Sequence, residues 1–312
     1  MNILENVSAS TLTTLRIGGP IKYLAAAFSV DDLIQLIKKA KDENLPYLVV
    51  GGGSNLLVAD NGYKGMIIQN LIRGIERKDE LIEVGSGTDL HELVWWADEN
   101  GIAGFEKMAG IPGTVGGAVY GNAGAYGQTI SDNLLWVEAF ELKTFEVKRL
   151  TKLECEFGYR DSGFKRKKDI ILRVGFLASK GDAFRLDEIS RETVAMRVKK
   201  YTPGLAVPGS FFKNIEADKL NLDLLKNIPE DKIIYGKIPA GWLLEEVGAK
   251  GKRNGNVVIS ENHANLFINE GGGTANAFLS LAREYKDKVK EKFGIDLEPE
   301  VQLVGFERNP LE

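Results

Sequence analysis

The chain has 312 residues and 35 glycines, with 40 Lys and Arg against 44 Asp and Glu, a net charge of -4 that gives no general attraction for nucleic acid. No apolar run approaches the ~20 residues that span a bilayer. The N-terminal MNILENVSAS has neither the basic nor the apolar region of a secretory leader, and Cys155, His91 and His263 are too few for a disulfide or a Cys/His metal centre. A metal-free cytoplasmic protein with no obligate protein partner is expected.

Thr14 to Pro20 (TLRIGGP) reads as a short strand running into a turn. Ser29 and Asp32 form a capping box, and Leu33, Leu36, Ile37 and Ala40 then recur at helical spacing. Pro46 ends that helix. Tyr47 to Val50 reads as a buried strand that delivers Gly51, Gly52, Gly53, Ser54 and Asn55 at its carboxyl end. Such a run of backbone N–H groups suits a phosphate nest, and a plain tight turn is an equal reading. The spacing is neither the dinucleotide fingerprint nor the P-loop. From Ile67 to Val84 short strands follow, and Thr88 is expected to cap a helix through Asp98, with His91 packing beside Trp95 and Trp96.

Between Ala109 and Gly127, seven of nineteen residues are Gly and four are Ala, without a charge. No helical or strand period survives there. Bare backbone at Ala109, Gly110, Pro112, Gly113, Gly116, Gly117, Gly121, Asn122 and Gly124, interleaved with Tyr120 and Tyr126, suits a wall against a large planar ligand better than a linker. Leu134 to Leu142 and Phe145 to Leu150 alternate as a hairpin, and Thr151 with Glu154 forms a second capping box. Lys165 to Lys168 is a solvated basic run, Ile170 to Leu177 a strand and Asp187 to Val198 a helix. Tyr201 to Gly209 breaks all periodicity and marks a domain boundary. Beyond it lie Ser210-Phe211-Phe212, a basic turn at Lys250, Lys252 and Arg253, and a helix from Thr274 to Phe293. Leu303, Val304 and Phe306 suggest a final strand.

Three polar residues stand alone among apolar or glycine neighbours: Arg160, Ser210 and Glu300. An Arg can grip a carboxylate through two parallel bonds, a Ser hydroxyl can give a proton to a strongly basic carbon, and a Glu can steady an enolic oxygen. Each also reads singly as a surface Arg, a turn Ser and an exposed Glu.

RIGG, GGGSN, the glycine-rich stretch, YRDSGF, GSFFKN, AGWLLEEVGAKG, HANLFIN and LEPEVQLVG, in this order, resemble the UDP-N-acetylenolpyruvoylglucosamine reductase (MurB) family over essentially the whole chain. The resemblance implies an α+β protein with an FAD-binding fold of the vanillyl-alcohol-oxidase (PCMH) type in two subdomains, residues 1–65 and 66–203. A substrate-binding α/β domain over 204–298 and a returning C-terminal strand in 299–312 would follow. It implies non-covalent FAD, NADPH as hydride donor and a UDP-sugar substrate in cytoplasmic peptidoglycan synthesis. Arg160, Ser210 and Glu300 would be catalytic. Residues 51–55 and the glycine-rich positions would hold FAD, and Tyr159, Asn214 and Lys250 would meet the substrate. The short interval between Arg160 and Ser210 lacks the loop whose Tyr closes over substrate in the longer form, so the chain looks like the short, type II form. Ile215 stands where a Pro usually follows Asn214. An FAD-linked oxidase of the same fold, or a non-catalytic flavin or sugar-nucleotide binder, is the alternative.

Overall fold

The capped amphipathic stretch after Ser29 is the first element that local sequence dictates. In the computed structural model, which describes residues 2–311, Val30–Asp42 is a helix with both halves of the capping box formed. Its Leu33, Leu36, Ile37 and Ala40 are buried against Ala25, Ala27, Met66 and Ile68. Those partners come from a sheet ordered Ile3–Ser8, Pro20–Ala27, Tyr63–Asn70 and Tyr47–Val50, whose last pair is parallel, Val50 opposite Gln69. Backbone contacts divide the chain into two units. The first holds the residues to Glu5, Tyr23–Gly52 and Lys64–Tyr201; the second holds Asn6–Lys22, Gly53–Tyr63 and the chain from Thr202 onward.

A second sheet in the first unit runs Glu146–Thr151, Leu134–Glu141, Ile170–Leu177, Leu81–Gly85 and Ile75–Lys78, antiparallel throughout. The helices Leu90–Glu99, Val115–Gly121 and Ala183–Val198 share its apolar core. Asp89, not Thr88, caps the first of these, because the Thr88 hydroxyl is taken by the main chain of Gly74. The third begins four residues before Asp187, capped by Asp182.

The larger departure is within the glycine-rich stretch, where Val115–Gly121 is helical although no helical period is legible. Tertiary contacts impose it. Val115 N–H donates to Thr88 O (2.9 Å) and Gly116 N–H to Ser86 O (2.8 Å), and Val115 and Val119 are buried one turn apart. Gly116 is required there, since a Cβ would sit 2.8 Å from that of Ser86.

In the second unit a small antiparallel sheet, Arg253–Asn254, Val257–Ile259 and Phe267–Asn269, shares a core with the helices Ala240–Glu246 and Ala275–Phe293. The long helix is capped by Thr274 and by the Asp60 carboxylate, which accepts from Ala275 N (2.7 Å) and Asn276 N (2.9 Å). Gln302–Val304 pairs in parallel with Leu56–Val58. Thr14 to Gly19 is a turn and irregular chain, not the expected strand: Arg16 takes φ +55° and its N–H returns to Thr13 O. Among the described residues, no helix is long and apolar enough to cross a membrane.

One buried acid carries a prediction. Asp98 is 1% exposed, and burial, joined by the charges of Glu106, Asp187 and Glu99, pushes its carboxyl up to about 6 from 3.8. The Ser190 hydroxyl offsets this only partly, because it donates to Glu106 O. The folded protein thus holds this proton more tightly than the unfolded chain. Its contribution is fullest below about pH 4 and is lost as pH rises through about 6. Asp98→Asn is expected to raise the Tm by a few degrees at about pH 8 and to change it little near pH 4. Melting curves at both pH values check this; a lower Tm at the higher pH would contradict it.

Candidate active site

The strand Tyr47–Val50 ends in two glycines packed closely against the glycine-rich stretch. A Cβ on Gly51 would overlap Thr114 Oγ1, and one on Gly52 would sit 3.1 Å from Gly113 Cα. Thr114 is the cap of the glycine-rich helix, its hydroxyl accepting from Gly117 N (3.3 Å), and Gly113 O accepts from Leu90 N (2.9 Å). Gly51, Gly52, Pro112, Gly113, Gly116 and Gly117 are therefore brought together at the start of one helix. Gly110 and Gly113 take φ +76° and +112°, the region that favours glycine. At the helix's other end Asn122 is left-handed (φ +43°), and its side chain donates to Gly158 O (2.8 Å).

That bond leads to Arg160. Gly158 and Asp161 exchange two backbone hydrogen bonds around a tight turn, and Ser162 Oγ donates to Tyr120 O (2.7 Å). Arg160 itself is left-handed (φ +51°), a conformation that non-glycine residues adopt rarely. Its Nη2 donates to Gly124 O (2.8 Å), with the guanidinium 5.4 Å from the Tyr159 ring centre. Arg197, in the last turn of Ala183–Val198, was not marked by the sequence. A Cβ on Gly110 would sit 3.3 Å from Arg197 Cδ, and the Arg197 Nε is buried without a hydrogen-bond partner. Burial lowers the Arg197 pKa, Tyr201 and Tyr126 partly oppose it, and the like charge of Arg160 adds to the lowering. An anion close to both guanidinium groups would relieve this field. In sequence Arg197 is one of several basic residues around a helix end, with no signal to single it out.

The other predicted residues lie in the second unit. Phe211 and Phe212, directly after Ser210, are fully buried with ring centres 4.7 Å apart, and Phe267 and Phe278 pack on Phe211. Glu300 N–H donates to Phe211 O (2.7 Å) and Lys213 N–H to Glu298 O (2.9 Å). Ser210 and Glu300 thus lie on paired segments, about ninety residues apart in sequence. The Asn55 side chain donates to Glu300 O (3.1 Å), and Asn55 O accepts from Gln302 N (2.9 Å). Its amide is thereby directed at the Glu300 backbone. Gly53 is left-handed (φ +64°), and a Cβ there would overlap Leu12 O. Gly53, Ser54 and Asn55 belong to the second unit, whereas Gly51 and Gly52 belong to the first. Asn214 Oδ1 accepts from Ala240 N (3.1 Å) at the start of Ala240–Glu246, and Lys250 is ion-paired with Glu245.

Comparison with known proteins gives this geometry its context. Residues 21–149 match the family model of an FAD binding domain, and residues 203–304 that of the UDP-N-acetylenolpyruvoylglucosamine reductase C-terminal domain. A UDP-N-acetylenolpyruvoylglucosamine reductase from Solibacter usitatus is 38% identical over 304 residues, covering 96% of this chain and 97% of its own. The chain belongs to this reductase family. A relative of the same name from Photobacterium profundum is 35% identical, over 98% of this chain and 96% of its own. The crystal structure of the Thermus caldophilus reductase (MurB) superposes with a TM-score of 0.78 at 31% identity, covering 97% of this chain and 99% of that one. The expected α+β class with an FAD-binding domain holds for this reductase.

The exposed glycines of the first unit suit an FAD. Gly117 is exposed, and a Cβ there would find only Thr114 Oγ1, at 3.5 Å; Gly121 and Gly127 have no atom within 4 Å of a Cβ position. Asn122 Oδ1 is buried without a partner and suits a donor on a ligand. Cys155 and His91, residue types that can carry a covalent flavin, are otherwise disposed. Burial pushes the Cys155 thiol up to about 12, and the His91 ring accepts from Trp95 Nε1 (2.8 Å).

The two adjacent glycines should therefore differ when enlarged. Gly116→Val drives a side chain into Ser86 and is expected to cost ~1–3 kcal/mol of stability. Gly117→Val meets almost no protein atom and is expected to keep most of the wild-type Tm while emerging poor in flavin. Flavin absorbance per protein and a melting curve on both variants decide. Full flavin in Gly117→Val would remove that glycine from the cofactor surface.

Proposed function

We propose that this chain is an NADPH-dependent flavoprotein that reduces the enolpyruvyl ether of UDP-N-acetylenolpyruvoylglucosamine to the lactyl ether of UDP-N-acetylmuramate, in peptidoglycan precursor synthesis. The observation that carries the reading is end-to-end similarity to reductases of that name, with an FAD binding domain within the match. When bound, FAD supplies hydride-transfer chemistry between NADPH and the enolpyruvyl C3.

The chain's own residues handle the charge and the proton. Hydride at C3 leaves the electron pair at C2, conjugated with the carboxylate, so the reaction needs cations at that carboxylate and a proton at C2. Arg160 grips the carboxylate through paired, charge-assisted bonds, and its left-handed backbone, pinned through Gly158 and Asp161, sets the direction of its side chain. Arg197 adds a second positive charge in the same unit. Ser210 gives its hydroxyl proton to C2, and Glu300 steadies the enolate-like oxygens. Asn214, Lys250 and Tyr159 meet the UDP-sugar, Lys250 exchanging Glu245 for a ligand anion. Residues 51–55 and the glycine-rich positions hold FAD. The reading assigns 1–65 and 66–203 to FAD binding, 204–298 to substrate and 299–312 to the returning strand, which the pairing of Gln302–Val304 with Leu56–Val58 supports. The reaction is placed in the cytoplasm because NADPH is its reductant.

Stopped-flow absorbance at the flavin band separates the two half-reactions. Arg160→Lys keeps the charge but loses the forked donor, so NADPH should bleach it normally while substrate reoxidises it slowly. Ser210→Ala should bleach at near the wild-type rate and reoxidise ~10²–10⁴-fold more slowly. Reoxidation within a fewfold of wild type would remove the substituted residue from its assigned role. Reoxidation by O2 but not by the enolpyruvyl sugar would overturn the substrate.

A further inference from the structure

The segment that carries Ser210 belongs to no regular sheet, yet it runs through the apolar centre of its unit. Phe211 and Phe212 are 0% exposed, so their backbone groups must find partners inside the protein. Asn265 supplies three of the bonds. Its main-chain O accepts from Phe211 N (3.0 Å), its Oδ1 accepts from Phe212 N (2.8 Å), and its Nδ2 donates to Phe212 O (2.8 Å). The side-chain amide thus presents one donor and one acceptor to a single residue, as a neighbouring strand would. Asn265 is itself only 2% exposed, in a turn closed by Leu266 N to His263 O (2.9 Å) and Ser260 N to Leu266 O (2.9 Å).

The chain flanking Ser210 differs in character on its two sides. On its amino side Gly209 is left-handed (φ +85°), with no atom within 4 Å of a Cβ position. On its carboxyl side Phe211 is tied through N–H to Asn265 and through C=O to Glu300 N, and Phe212 is clamped at both polar groups. The Phe211–Phe212 side thus fixes the backbone from which the Ser210 side chain departs.

We propose that Asn265 is a positioning residue for Ser210, its amide clamping Phe212 so that the Ser210 hydroxyl stays aligned with the carbon it protonates. The inference rests on the assignment of Ser210 as the proton donor. Misplacement of a reacting group by about 1 Å can cost ~10²-fold in rate. Losing the clamp should therefore slow only the half-reaction in which the proton moves.

The test compares flavin-loaded wild type, Asn265→Ala, Ser210→Ala and the double variant, with NADPH first and UDP-N-acetylenolpyruvoylglucosamine second. Asn265→Ala is expected to bleach normally, to reoxidise ~10–10²-fold more slowly, and to show a larger solvent deuterium isotope effect on that step. Because Asn265 acts through Ser210, the double variant should be no slower than Ser210→Ala beyond a fewfold. A merely structural role for Asn265 would lower the Tm, leave the isotope effect unchanged and multiply the two losses; that result overturns the proposal. If Asn265→Ala does not retain flavin, Asn265→Asp keeps the acceptor and removes the donated bond. Its reoxidation should be slowed with the same rise in isotope effect, and wild-type behaviour would overturn the proposal. Slow Ser210→Ala with fast Asn265→Ala sinks the clamp alone, whereas fast Ser210→Ala sinks the donor assignment beneath it.

Discussion

The backbone of Phe211 is held from both sides, by Asn265 at its N–H and by Glu300 at its C=O, and the chemistry assigned to the second unit depends on that constraint. Two buried phenylalanine rings fix the depth of the segment, with Phe267 and Phe278 packed behind them. An apolar surround of this kind leaves backbone groups no solvent to fall back on, so each bond that satisfies them also fixes geometry. Ser210 and Glu300, distant in sequence, become neighbours on paired segments for this reason. Asn55 extends the arrangement, since its amide and carbonyl bracket Glu300 and Gln302.

The first unit uses glycine in two different ways. At Gly51, Gly52 and Gly116 the missing Cβ lets main chain and small side chains of the protein itself close up. At Gly117, Gly121 and Gly127 no protein atom crowds the missing Cβ, and bare backbone is left at the surface assigned to FAD. The same short helix thus has one side shaped by the fold and another suited to a ligand. Its far end positions Arg160, through Asn122 to Gly158 and Tyr120 O to Ser162. The glycine-rich helix and Arg160 are in this way parts of one local construction.

What could be read beforehand followed from whether the decisive contacts were local. Ser29, Asp32 and the stripe from Leu33 to Ala40 identify a helix because cap and apolar face lie within four turns of one another. Long ordered motifs made the reductase family recognisable, with FAD and the UDP-sugar following from the family. The glycine-rich helix was not legible, because Ser86 and Thr88 impose it against the low helix propensity of its own residues. Thr14 to Gly19 kept the apolar pattern of a strand, with Leu15 and Ile17 buried as such residues should be, but Arg16 turns the chain. Arg197 carries no mark of its own, and Asn265 stands out only as part of the HANLFIN motif: one meets Gly110, the other Phe211 and Phe212, and sequence spacing reveals neither meeting.

The central claim of the proposed function is that a proton is delivered to C2 by the Ser210 hydroxyl while hydride arrives at C3. Isotopic labelling of the wild-type product measures this directly. Turnover of the enolpyruvyl sugar with NADPH deuterated in its transferable position, in ordinary water, should place that deuterium at C3 of the lactyl group. Turnover with unlabelled NADPH in D2O should place one deuterium at C2 and none at C3. Solvent deuterium at C3, or label from NADPH at C2, would contradict the account.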